Sequence, residues 1–239
     1  MRHLNKIIFI NSATIQYQEI SIDGNVHFIG TQGAGKSTVL RAILFFYNAD
    51  INKLGIPKEK QGFTDYYFAN SNSYIVYEVL RESGPFCILA YKQSGRVAYR
   101  FIDSHYDVNY FITDNNAVEG WDKVRMKLDE LGIDFSKKIG RYEEYRNIIY
   151  GNNEGKSEFK KYALLESKLY QNIPRTIQNV FLNTKLDAEF IKKTIIDSIM
   201  EENVPIDLGI YRHHLQEFEN EYKDIETYKT KKSQERQNE

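Results

Sequence analysis

GTQGAGKST, residues 30–38, stands between the apolar run VHFI and the helix-forming run VLRAILFFY. A bound phosphate needs several hydrogen-bond donors near its oxygens, and only backbone with few side chains in the way supplies them. Gly30, Gly33 and Gly35 allow that close approach, and the N–H groups of Thr31, Gln32 and Ala34 complete an inward-facing anion nest. The spacing Gly30-x-x-x-x-Gly35-Lys36-Ser37 then places a cation and a hydroxyl at the start of the following helix. Lys36 is expected to reach the β- and γ-phosphates, and Ser37, next to Thr38, to ligate Mg²⁺.

The flanks fit this reading. Val26, Phe28 and Ile29 predict a short buried strand, and residues 38–47 are apolar on every face, as a core helix requires. A glycine-rich surface turn is the plain alternative. The chain has 239 residues, 41% of them hydrophobic, and a mean hydropathy of -0.55, enough for one substantial soluble domain with an appendage. No run is long and apolar enough to cross a membrane, and MRHLNKIIFINSA reads as a strand and not as a signal peptide. Cys87, the single cysteine, lies in FCILAY and is expected to be a buried thiol. These features point to the cytoplasm. With 32 basic and 33 acidic residues, no global positive field advertises nucleic acid.

Strands dominate the first half. Residues 6–10 and 14–22 carry β-formers, with a turn at Asp23-Gly24-Asn25. NADINKLGIPKEKQGFTD reads as a polar surface connector. SYIVYEVLR, PFCILAYK and RVAYRFI, joined by glycine turns, predict an antiparallel meander. Residues 121–131 place Trp121, Val124, Leu128 and Leu131 at helical spacing, with Gly132 as the stop. The 18 tyrosines and 14 phenylalanines fall largely in these strands and are read as packing, with base stacking as the minority role. Helices are expected over residues 156–170 and 187–200. From Tyr211, Leu215, Phe218, Tyr222 and Ile225 form a heptad seam, the start of an arm of about 43 Å. The seam needs a second helix, from another chain or from a continuation of this one. The domain reading is therefore 1–205 for an α/β P-loop portion and 206–239 for the start of a coiled coil.

Hydrolysis needs acids that hold the metal and polarise water, usually at the end of an apolar strand. None appears in that context, and no signature motif is present. GNNEGKS, residues 151–157, is one residue too short between its glycines. DELG at 129–132 ends a predicted helix, and NKLG at 52–55 lacks the Asp that would read guanine. His213 and His214 face different ways on a helix and have no ligand partner at suitable spacing. A self-contained kinase or NTPase would need an acid such as Asp103 or Asp107 as the metal partner. A nucleotide-gated binding module without hydrolysis is a further alternative.

The stretch MRHLNKIIFINSATIQYQEISIDGNVHFIGTQGAGKSTVLRAILFFY resembles the start of an SMC-like ATPase head, with Gln32 and Arg41 departing from the usual pattern. The segment from DYYF through NSYIVYEV is similar to bacterial condensin-like, Wadjet-type anti-plasmid members. That resemblance implies an ABC-type head half binding ATP and Mg²⁺ at residues 30–38. It also implies a sensing glutamine touching the metal, Gln178 by position or else Gln171. The acidic pair and signature would come from a C-terminal half folded back along the coil. A second head, DNA and accessory subunits are the implied partners, with no membrane. Catalytic residues are not expected within this chain.

Overall fold

The computed structural model describes residues 2–152 and 157–164. The helix expected over 187–200, the seam from Tyr211, Gln171, Gln178 and the His213–His214 pair lie outside the described residues.

Five strands form one antiparallel sheet in the order β2-β1-β3-β4-β5. β1 (His3–Ser12) and β2 (Ile15–Ser21) make the first hairpin, and β3 (Tyr74–Leu80), β4 (Phe86–Gln93) and β5 (Arg96–Ile102) make the meander. β3 enters beside β1, with Ile8 opposite Val76, so the meander extends the hairpin into a single sheet. The β4–β5 turn has Ser94 at φ 53 and Gly95 at φ 78. Two successive left-handed residues match the twist of the flanking strands.

Both faces of this sheet are covered, which explains why β3 and β4 read as unbroken apolar runs instead of alternating ones. On one face Ile7, Phe9, Ile75, Tyr77, Ile88, Tyr99 and Phe101 pack with helix α1 (Lys36–Asn48). Also on this face are the short α2 (Phe63–Tyr67), α4 (Tyr142–Ile149) and a 3₁₀ turn at Ser157–Tyr162. On the other face Ile8, Ile10, Val76, Leu89 and Cys87 pack with α3 (Trp121–Glu130) and the aromatics Tyr106, Tyr110 and Phe111. The outer edge of β5 is met by Ile139, whose N–H and carbonyl both pair with Tyr99 at 2.9 and 2.8 Å.

Helix α1 is held by tyrosine hydroxyls. Tyr67 donates to the Thr38 carbonyl at 2.7 Å, Tyr77 to Ala42 at 2.9 Å and Tyr145 to Phe46 at 2.8 Å. Tyr150 donates to Tyr47 at 2.9 Å, and Tyr99 to the C-cap residue Ala49 at 3.4 Å. Thr38, Ala42 and Phe46 recur every four residues, so their carbonyls follow one side of the helix. A buried phenol must find an acceptor, and a helical carbonyl has a second lone pair to offer. Burial pushes the phenols of Tyr77, Tyr99 and Tyr145 well above their ordinary value, keeping them as donors. Most aromatics among the described residues thus serve packing, and five tyrosines among them are aimed at α1.

Several sequence expectations need correction. Val26, Phe28 and Ile29 form no strand; Ile29 is 94% and Val26 38% exposed, and only Phe28 leans on the core. A strand is stabilised by its neighbours' backbone groups, and no described segment pairs with these residues. The connector after α1 is not purely superficial, since Leu54 and Phe63 are buried. Leu131 lies at the C-cap of α3 and is exposed, while Trp121, Val124 and Leu128 are buried as expected. The helix expected from 156 is a 3₁₀ turn over its described part. Helix α4, which buries Tyr145, Ile148 and Ile149, was not anticipated, although Tyr142, Tyr145 and Ile149 follow helical spacing.

Candidate nucleotide site

The loop at 30–38 closes onto the N-terminus of α1. Gly35, the N-cap, has φ 84 and ψ 3, and Gly33 has φ 89, backbone that L-residues with side chains rarely adopt. A Cβ on Gly30 would stand 3.0 Å from the Ala34 Cβ, a tight contact that the loop would have to shift slightly to accept. Inside the loop the Ala34 N–H bonds the Thr31 carbonyl at 3.3 Å.

The first turn of α1 has no side-chain cap and no acidic residue. Its leading N–H groups therefore lack the partners that Ser, Asp or Glu would provide. The positive end of the helix dipole is left for an external anion. Lys36 arches back over the loop, its Nζ donating to the carbonyls of Gly30 at 2.6 Å and Thr31 at 2.7 Å. Ser37 is exposed at the same mouth.

Two clefts flank the loop. One, of about 810 Å³, lies towards β2 and includes Gln18, Glu19, His27, Phe28 and Lys36. The other, of about 860 Å³, runs from Gln32–Thr38 to Arg41, Ile56, Lys60, Gln61, Tyr66 and Tyr67. Its lining carries three cations, Lys36, Arg41 and Lys60, and no carboxylate. Tyr66 lines both clefts.

The loop and its surroundings fit a phosphate chain in donor chemistry, charge and space. For Mg²⁺ they supply the Ser37 hydroxyl, but no carboxylate lines the cation-rich cleft among the described residues. Asp103 and Asp107, the acids named for a self-contained NTPase, are engaged elsewhere. Asp103 pairs with Arg81 and, at 2.6 Å, with Lys161. Asp107 caps a 3₁₀ turn by accepting from the Asn109 N–H at 2.9 Å. Glu78, inside β3, accepts from Asn5 and from the Tyr106 N–H, both at 2.8 Å. These carboxylates serve the framework.

Comparison with known protein families matches residues 9–235 to DUF3584, described as a protein of unknown function. The chain belongs to the DUF3584 family. No curated protein matches it. The DUF3584 match runs from within β1 past every described element, so the loop and the meander fall inside one family unit.

Sequence reasoning found the loop of this DUF3584 chain but missed Lys60, Gln61 and Tyr66. Their only local signal was the basic and aromatic content of KEKQGFTDYYF. Gln178 lies outside the described residues. No helix among the described residues is long and apolar enough to cross a membrane.

Proposed function

We propose that the chain binds ATP with Mg²⁺ at residues 30–38, as the N-terminal half of an SMC-like, ABC-type ATPase head in the cytoplasm. The observation that carries this reading is the loop itself. Two glycines in left-handed backbone lead into an uncapped helix start, and Lys36 is satisfied by loop carbonyls that phosphate oxygens would replace. The loop N–H groups bind and orient the phosphates. Lys36 neutralises charge at the β/γ end, and the Ser37 hydroxyl would be a ligand to Mg²⁺, which would balance phosphate charge.

The metal-binding acid, the water-polarising acid and the signature motif come, in this proposal, from a complementary C-terminal half. The apolar residues Val26 and Ile29, exposed just before the loop, support it, because a strand from that half would cover them. Residues 206–239 begin the coiled-coil arm, and Gln178 senses the γ-phosphate. ATP is then held between two heads of a homodimer, and its hydrolysis releases them to move or grip DNA for maintenance, repair or defence, with accessory subunits.

A self-contained NTPase is the weaker reading, since Asp103 and Asp107 are both committed to structural contacts. Incubation of the 239-residue chain with labelled ATP and Mg²⁺, scoring bound nucleotide and released phosphate together, separates the two. Binding with negligible release supports half a head. Sustained release abolished by Lys36→Ala rejects it.

A further inference from the structure

The DYYF segment places two adjacent tyrosines beside the loop, and they have different fates. Tyr67 is buried, stacks on Phe63 at 4.2 Å and spends its hydroxyl on the Thr38 carbonyl. Tyr66 is half-buried, stands nearly perpendicular to Tyr67 at 5.1 Å, and its hydroxyl makes no hydrogen bond among the described residues. Its helix is pinned on both sides of it, by Tyr67 and by the 2.9 Å Asp65–Lys92 ion pair. A ring held in place at the junction of two clefts, beside a phosphate-type loop, offers an aromatic face at low ordering cost.

The surrounding charge adds direction. Among the described residues Arg41 makes one hydrogen bond, a long 3.5 Å contact with the Gly55 carbonyl, and Lys60 is exposed with no ion pair. Both line the cleft that Tyr66 and Lys36 share. Three cations without a carboxylate suit a polyanion longer than one phosphate.

We propose that Tyr66 is the platform on which the base of the bound nucleotide stacks, with Arg41 and Lys60 holding the phosphate chain alongside Lys36. This inference rests on the phosphate-loop reading above. Stacking is tolerant of base identity, because every base presents a π face, so the platform contributes affinity more than base choice.

Calorimetric binding of ATP and of inorganic tripolyphosphate to the same chain tests it. Tyr66→Ala is expected to weaken ATP about five- to a hundredfold while leaving tripolyphosphate unchanged. Tyr66→Phe, which keeps the π face, should bind ATP as the parent does. Lys60→Ala should weaken both ligands. If Tyr66→Ala fails to fold, Tyr66→Leu, apolar but without a π face, gives the same comparison. Equal ATP affinity for Leu and Tyr at 66, with Lys36→Ala still defective for both ligands, overturns the platform and leaves the loop reading standing. Unchanged binding of both ligands by Lys36→Ala removes the loop reading, and the platform with it.

Discussion

The Tyr67 hydroxyl donates to the carbonyl of Thr38 at 2.7 Å, tying α2 to the first turn of α1 where the candidate site begins. Removing that hydroxyl with Tyr67→Phe keeps the ring stack on Phe63 and should cost about 1 kcal/mol. Tyr67→Ala also opens a cavity and should cost about 3–5 kcal/mol. Urea unfolding midpoints at constant slope distinguish the two. Equal losses would mean that the hydrogen bond and not the ring seats α2.

Lys36→Ala removes a charge-assisted contact to the phosphates, so ATP affinity should fall about ten- to a hundredfold. Its present partners are two exposed loop carbonyls, which water can replace, so the unfolding midpoint should barely move. Loss of binding together with loss of folding would mean that the lysine is structural.

At Gly35 a Cβ meets no atom within 4 Å, so any cost of Gly35→Ala comes from its φ of 84. Placing an L-residue there is expected to cost about 1–2 kcal/mol, read as a lower melting temperature and weaker nucleotide binding. A neutral Gly35→Ala would show that the loop relaxes out of the left-handed conformation.

Asp103 provides an acid-stability test. Burial alone would raise its carboxyl, but hydrogen bonds and charge from Lys161 and Arg81 outweigh that and hold it below its ordinary 3.8. A depressed folded value stabilises the protein above the unfolded one, and the stabilisation is lost as pH falls through the folded value. Stability should therefore decline as pH falls below about 4, and Asp103→Asn should be less stable near neutrality with a flatter acid limb. Parallel limbs for the two proteins would place the acid sensitivity elsewhere.

Cys87 is 2% exposed on β4, and burial pushes its thiol well above the ordinary value. The native protein should resist thiol alkylation near pH 8, and reaction should follow unfolding by denaturant. Rapid labelling of the folded chain would mean that β4 opens locally.

The legible parts of the sequence were those whose physics is local. Glycines at 30, 33 and 35 followed by Lys36 specify a backbone shape with little outside help, and the apolar run after them makes α1. The β-forming apolar runs and glycine turns between residues 73 and 102 produced the meander. Where a partner decides the outcome, local pattern fell short. VHFI has the composition of a buried strand yet stays unpaired among the described residues. In α4, Tyr145 gains its role only because α1 offers the Phe46 carbonyl. Leu131 satisfied a helical period but sits where α3 ends and the cover stops.

By itself, then, the sequence determined the glycine loop at 30–38, the helix behind it and the antiparallel meander, because glycine stereochemistry and hydrophobic patterning act over a few residues. Only the tertiary structure decided that tyrosines from four different segments would grip α1, that Asp103 would serve an ion pair, and that Arg41, Lys60 and Tyr66 would gather at one cleft. Hydrogen bonds, ion pairs and cleft walls join residues tens of positions apart, and their partners exist only once the sheet has brought those segments together.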